Sequence, residues 1–370
     1  MKNIKPAIRY FLYRPSSPVL ENDAVWKTPL PMNRNNSQKR GDISVSHGEY
    51  FQCIRSFLER DGFELPASAI SRQTVQNVKP ENIETIDIYT EKHGEFYHPA
   101  RIEIAVHGSI VSFVLNVAIS EAGKACIRRE YDILKQLNNN ALFLPRVYRQ
   151  GNVFIKDGFE ARMFLGEWFK GYHEFHISRD RTDETYKTVV WDSEKGHFFL
   201  SPDQMAELYI QAAKILTTYY NVETFEQIWP WHHAAGDFII RCHNNNDIEL
   251  KLVTARQYQA LLNNKDRDAN SILDALLMFL INLSIRTRLD RLDGTGDVVW
   301  ADDIAVLGTL DGFFQALASK SPIPQLPAPI SDCFRYYLSQ VTESDLYEWG
   351  EAVLDAYHHK APEVPVIQKY

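Results

Sequence analysis

The chain has 370 residues, a length that two lobes or domains accommodate more readily than one core. It is 45% hydrophobic, 24% charged and 12% aromatic, with a formal net charge of −8; these values are ordinary for a folded soluble protein and exclude the basic excess of a general nucleic-acid binder. Cys53, Cys126, Cys242 and Cys333 stand far apart with no C-x-x-C pair, so neither a zinc knuckle nor a disulfide framework is expected, and a reducing compartment fits best.

The opening MKNIKPAIRYFLYRP is basic but lacks the continuous apolar run of a secretory signal. Residues 1–82 read as an N-terminal extension: a polar stretch, NRNNSQKRGD (Asn33 to Asp42), then a short helix, EYFQCIRSFLERDGF. Its Phe51, Ile54, Phe57 and Leu58 fall at helical spacing, and Gly62 closes it. From Ile83 the period changes to two. TIDIYTEKHGE, ARIEIAVHG and SIVSFVLNVAIS make three short strands, joined at HGEFYHP and at His107-Gly108-Ser109, and so predict an antiparallel meander.

A helix follows with Ile127, Tyr131, Leu134 and Leu137 on one face, closed by Asn138-Asn139-Asn140. FLPRVYRQGNVFIKDG and EARMFLGEWFKG are two further strand-like runs around Gly151 and Gly158. Strands, one helix, then strands predict an α+β lobe over 83–170.

After Gly171 the pattern turns helical, giving a second lobe over 171–370. Ser201-Pro202-Asp203-Gln204 is a helix start with a cap, a proline at the first helical position and a glutamine three residues beyond the cap; Leu208, Ala212, Ile215 and Leu216 are then buried. FIIRC and IELKLV flank HNNND, so Phe238 to Val253 reads as a hairpin. Helices are expected near Ser271 to Leu289, Asp303 to Ser319 and Ser344 to His358, with SPIPQLPAPI as a stiff connector. The most apolar run, SILDALLMFLINLSI, is too short for a membrane span and carries Asp274 and Asn282, so a cytoplasmic protein is expected. There is no internal repeat.

This order, from about Ile83 to His358, resembles the protein-kinase-like fold in its aminoglycoside phosphotransferase and choline kinase branch: bilobal and α+β, with a small antiparallel-sheet lobe plus one helix and a larger, mostly helical lobe. VSFVLNVAIS and RREYDILKQL carry the likeness most specifically, with LPRVY and the hinge-like MFLGEWFKG beside them. The branch ends the strand in a lysine that neutralises the phosphates of ATP, held by a glutamate of the following helix. Glu130 stands at the glutamate position and Asn116 at the lysine position, while Glu167 in the hinge-like run is a further candidate cofactor contact. An amide brings no net charge, so about one unit of phosphate-neutralising charge is missing.

In its second lobe the branch carries H-G-D-x-x-P-x-N before the hairpin, with Asp as base and Asn on the metal, and a further metal-binding Asp after it. The corresponding segment is PWHHAAGDFIIR. Anchoring on the hairpin matches Gly236-Asp237 to Gly-Asn, His232 to the base and Thr254 to the later Asp. A shifted alignment makes Gly236-Asp237 part of H-G-D itself, with Ala235 replacing its His, but leaves no loop before the strand. The candidates are therefore His232 and Asp237 for catalysis, Asp237 for metal, and Asn116, Glu130, Glu167 and Thr254 for cofactor. One carboxylate and a hydroxyl make a poor magnesium site.

The resemblance thus implies a catalytically impaired, pseudokinase-type protein that binds a small ligand or a protein partner. The alternative is an active atypical phosphotransferase using ATP and magnesium on a small hydroxylated or aminated metabolite, with Lys92 or Lys124 reaching the phosphates and His232 or Asp237 as base. A third possibility is a partner-binding protein whose pattern only mimics the branch. Glu130 is either orphaned or paired with Arg101, Lys124 or Arg128 as a surface ion pair. HGEFYHP, with one glycine, reads as a hairpin more than a phosphate-covering loop. A metal site on His232, His233 and His243 is disfavoured, because adjacent side chains rarely chelate one ion together. Trp229 and Trp231 read as core or as a ring-stacking pair, and Arg286, Arg288 and Arg291 as a positive patch near a helix end, a solvated and dipole-compensating group more than an anion site. No G-x-S-x-G, H-E-x-x-H, Walker A or G-x-G-x-x-G motif occurs.

Overall fold

The chain folds as two compact units, Met1–Ala141 with Pro145–Lys170, and Leu142–Leu144 with Gly171–Tyr370. The computed structural model describes residues 5–13, 17–31, 44–91, 94, 96–138, 143–156, 159–192, 195–232, 236–243, 247–261, 267–355, 357 and 360–370. The polar stretch 33–42, Lys92, Asn139, Asn140, Gly158, His233, Ala235, most of the HNNND turn and His358 lie outside the described residues.

The first unit is built on a six-stranded sheet in the order β1-β2-β3-β4-β6-β5. β1 (Ala7–Phe11) lies parallel to β2 (Ile83–Thr90), and β3 (His98–Val106) and β4 (Ser109–Ala118) continue as the antiparallel meander. Alternation is strict on β3, where Ala100, Ile102, Ile104 and Val106 all turn inward. α1 (His47–Leu58) and α2 (Glu64–Thr74) separate β1 from β2 in the chain, and α3 (Glu121–Leu137) follows β4. β5 (Val147–Lys156) and β6 (Phe159–Glu167) complete the sheet.

Residues 1–82 belong to this unit. Tyr50, Phe51, Ile54 and Phe57 of α1 and Ile70 of α2 share one apolar cluster with Ile86, Ile102, Phe113 and Leu115 of the sheet. Arg9 of β1 grips Asp87 of β2 with two nitrogens, at 2.7 and 2.6 Å. Where a single helix was expected there are two. Ser46 and Glu49 form a capping box that starts α1. Asp61, Gly62 and Phe63 then take left-handed backbone angles, which end α1 and redirect the chain into α2.

In the second unit, the stretch after Gly171 expected to turn helical instead forms a three-stranded antiparallel sheet, β7 (Phe175–Arg179), β8 (Tyr186–Asp192) and β9 (Gly196–Phe199). α4 (Pro202–Tyr219) starts at the capping box of Ser201 and Gln204 and buries Leu208, Ala212, Ile215 and Leu216. β10 (Glu226–Ile228) leads to the hairpin of β11 (Phe238–Cys242) and β12 (Ile248–Leu252), and β13 (Tyr258–Ala260) returns to pair with β10. α5 (Ala269–Arg288), β14 (Leu289–Arg291), β15 (Val298–Trp300), α6 (Asp303–Ala318), α7 (Ile330–Leu338), α8 (Glu343–Asp355) and α9 (Val364–Ile367) follow.

The architecture is α+β: a sheet-rich unit whose fourth strand feeds one long helix, and a larger, mostly helical unit with a hairpin inside it. That is the element order expected of the bilobal kinase-like fold. α5 is longer than its apolar run and, by length and composition alone, long enough to cross a membrane; 56% of its apolar window is buried within the protein, as in a core helix.

α4 and α6 cross closely because α6 presents glycines to α4. A Cβ at Gly312 would drive into the Ile210 backbone, and one at Gly308 would lie 2.8 Å from the Tyr209 Cβ. Gly312→Ala is therefore expected to lower the unfolding free energy by about 1–3 kcal/mol through overpacking. Asp311→Ala on the exposed side should change it by less than about 0.5 kcal/mol. Urea denaturation of the two variants compares them directly.

Candidate functional site

In the first unit, the inward residues of β4, Phe113, Leu115 and Val117, leave Asn116 half-buried on the opposite face. Register places it between Pro99 of β3 and Phe164 of β6. Ser120 caps α3 by accepting the Gly123 N–H at 3.1 Å, and the helix turns Ile127, Glu130, Tyr131 and Leu134 inward together. Glu130 is fully buried, not at the surface, and its carboxylate accepts a hydrogen bond from the Tyr97 hydroxyl.

Tyr97 comes from the β2–β3 connection, the segment that would cover phosphates in the resembled fold. Phe96 beside it sits down on α3: its carbonyl approaches Gly123 so closely that a Cβ there would overlap it. Gly123 is needed for this contact. Two of the cations considered as partners of Glu130 are engaged elsewhere. Lys124 pairs with Glu121 at 2.5 Å, and Arg101 pairs with Glu91 at 3.1 Å and with Glu103 while stacking 3.9 Å from the Tyr89 ring centroid. Arg128 lines a shallow groove along α3 with Arg129, Asp132 and Arg162. Glu167 is turned toward the backbone of Arg146, accepting its N–H at 3.2 Å and donating its own N–H to the Arg146 carbonyl at 2.8 Å. It fastens the ends of β5 and β6 together.

In the second unit, Gly236 takes a φ of +78°, and Asp237 follows it into β11, 2% exposed. Arg256 meets Asp237 with both terminal nitrogens, Nη2 to Oδ1 at 2.7 Å and Nη1 to Oδ2 at 2.9 Å, and the backbone N–H of His232 donates to Oδ2 at 2.9 Å. This is a two-pronged charge-assisted pair. Asp237, expected as a metal ligand and catalytic group, is thus engaged by Arg256 and by the loop backbone. Thr254, the other expected oxygen donor, is buried two residues before Arg256. Among the described residues, no group of three or more His, Cys, Asp or Glu is arranged to hold a metal ion. These residues do not fit magnesium.

The His232 ring lies beside the Arg286 guanidinium, with Nε2 3.3 Å from Nη2. His243 points to Glu249 at 3.8 Å on the hairpin. Arg286 departs from the solvated patch expected of it: it is buried, donates to the Trp231 carbonyl at 2.6 Å, and lies 4.9 Å from the Trp229 ring centroid and 5.8 Å from those of Trp231 and Tyr357. Trp231 is core and Trp229 is half-buried, and both serve as walls for this cation. Arg288 instead pairs with Asp303 at 3.2 Å and stacks on Trp300, and Arg291 is exposed.

Arg256 and Tyr97 are the residues that sequence reasoning did not assign to the site, and Arg286 reads there as solvated more than as an anion site. Arg256 sits in a stretch with no motif around it. Tyr97 lies in HGEFYHP, read from the sequence as a hairpin more than a phosphate-covering loop, where an aromatic hydroxyl was the available signal.

No family model matches the chain. A search of curated proteins finds none that matches it. Among solved structures similar to the chain is one described as WaaP in complex with acyl carrier protein, at 11% identity and a TM-score of 0.34, covering 73% of this chain and 88% of that one. The fold described above rests on the elements and their order, not on that likeness.

Arg256→Met leaves the Asp237 charge buried and unanswered, and is expected to cost about 3–5 kcal/mol of stability. The double variant Asp237→Leu with Arg256→Met should recover most of that loss, as a double-mutant cycle in urea would show. Tyr97→Phe removes a donor to a buried carboxylate and should cost about 1.5–3 kcal/mol in the same assay.

Proposed function

We propose that this protein is a catalytically impaired member of the kinase-like group that binds a small ligand or a protein partner in place of transferring phosphate. The observation that carries the reading is Arg256 on Asp237. At the position the resemblance assigns to a metal ligand, the carboxylate is neutralised by a fixed internal cation, so metal-dependent phosphate chemistry has lost its anchor. Two further features agree with it. Asn116 brings no charge where the resembled branch has a lysine, and Glu130, the residue that would hold such a lysine, takes the Tyr97 hydroxyl. The cysteines Cys53, Cys126, Cys242 and Cys333 are all free thiols, which suits a cytoplasmic setting.

An active phosphotransferase would need Asp237 to release Arg256 and another ammonium to replace the absent lysine. Lys124, one candidate for that role, is committed to Glu121. The reading is tested by thermal-shift titration with ATP and ADP, with and without magnesium or manganese. A ligand that binds only the folded state raises the melting temperature by mass action. No metal-dependent shift is expected at millimolar nucleotide; a metal-dependent shift that disappears in Asp237→Asn would overturn the proposal.

A further inference from the structure

We propose that Arg286 and His232 form an anion subsite in the second unit, one that takes a carboxylate or phosphate group of a small ligand. This names the ligand class for the binding role proposed above and rests on that reading.

The starting point is a charge without a counter-charge. Arg286 is 6% exposed, and its Nε has no hydrogen-bond partner. Among the described residues, no carboxylate lies within ion-pair distance of its guanidinium. In the last turn of α5, its neighbours are the Trp231 carbonyl, the His232 ring, the Tyr357 hydroxyl, and the faces of Trp229, Trp231 and Tyr357. Carbonyls and π faces supply partial charge only.

Other arginines in the protein are treated differently. Arg9 has Asp87, Arg256 has Asp237 and Arg288 has Asp303. A buried ion is tolerated when it is paired and fully hydrogen-bonded, and a guanidinium presents a planar fork that matches an oxyanion in two-pronged fashion. The nearest carboxylate on the same loop, Asp237, is already spent on Arg256, so it neither neutralises Arg286 nor repels an incoming anion at full strength.

The surroundings supply the rest of a binding site. His232 is half-buried, with Nδ1 3.5 Å and Nε2 3.3 Å from the Arg286 Nη2, and a neutral imidazole that accepts at one nitrogen carries its N–H on the other. Trp229 is also half-buried, with its ring centroid 4.9 Å from the guanidinium carbon. Tyr357 is held by its hydroxyl on Asn282 at 3.1 Å, which fixes the third wall. The loop that the resembled branch uses for its catalytic base is thus converted into a receptor for negative charge.

The experiment is a thermal-shift and calorimetric titration of the full chain without divalent metal, using inorganic phosphate, malonate, and sodium chloride at matched ionic strength. A saturable shift with phosphate or malonate that chloride does not reproduce is expected, and the tighter of the two identifies the source of the oxyanion. The titration is repeated on Arg286→Lys, which keeps the charge without the fork, and on His232→Gln, a half-buried position that spares the core. Affinity should fall at least fivefold in each folded variant. No shift beyond chloride, or affinity unchanged in His232→Gln and Arg286→Lys, would overturn the subsite. Phosphate binding together with a metal-dependent ATP shift would leave the subsite standing and remove the impaired-kinase reading. Inertness to phosphate, malonate and ATP with magnesium would do the reverse.

Discussion

A buried carboxylate must find positive charge, and in the second unit the way Asp237 meets that requirement organises everything around it. Arg256 supplies two parallel N–H groups and His232 a backbone N–H, so the strand that follows Gly236, the loop before it and the chain leaving the hairpin are tied at one residue. The Asp237 carbonyl meanwhile accepts the Val253 N–H at 2.8 Å, closing the hairpin from the other side. Structural and electrostatic demands are met by the same contacts.

The same economy appears in the first unit with a neutral partner. Glu130 is inward on α3 by helical spacing alone, and the Tyr97 hydroxyl donates to it. A phenol donates a hydrogen bond and brings no charge of its own, where the Arg256 guanidinium brings both. Arg286 is the converse case, a buried cation set among aromatic faces.

What the sequence made legible follows from range. The cap at Ser201, the period-two meander and the hairpin at 238–253 depend on neighbours a few residues away, and each appears as expected. β1 did not announce itself: five residues become a strand only because β2, more than seventy positions later, offers a free edge. β7, β8 and β9 are short and interrupted by charged turns, which blurred their alternation. α2 begins from three left-handed residues and carries Pro66 in its first turn, a combination that periodicity reads as a stop. For the site, the substitutions Asn116, His232 and Thr254 were visible. Their consequences were not, because Arg256 reaches Asp237 across nineteen positions and Tyr97 reaches Glu130 across thirty-three.

β1 has a consequence for any attempt to work with the resembled region alone. By pairing with β2 it occupies what would otherwise be an open edge of backbone N–H and C=O groups, while α1 and α2 cover the apolar side of the sheet. A fragment trimmed to begin at Ile83 would present a bare strand edge beside exposed Ile86, Ile102 and Phe113. Such an edge recruits further strands from other molecules. The N-terminal segment therefore acts as the solubility determinant of the unit, and the boundary drawn by likeness to a fold is not the boundary at which this chain can be cut.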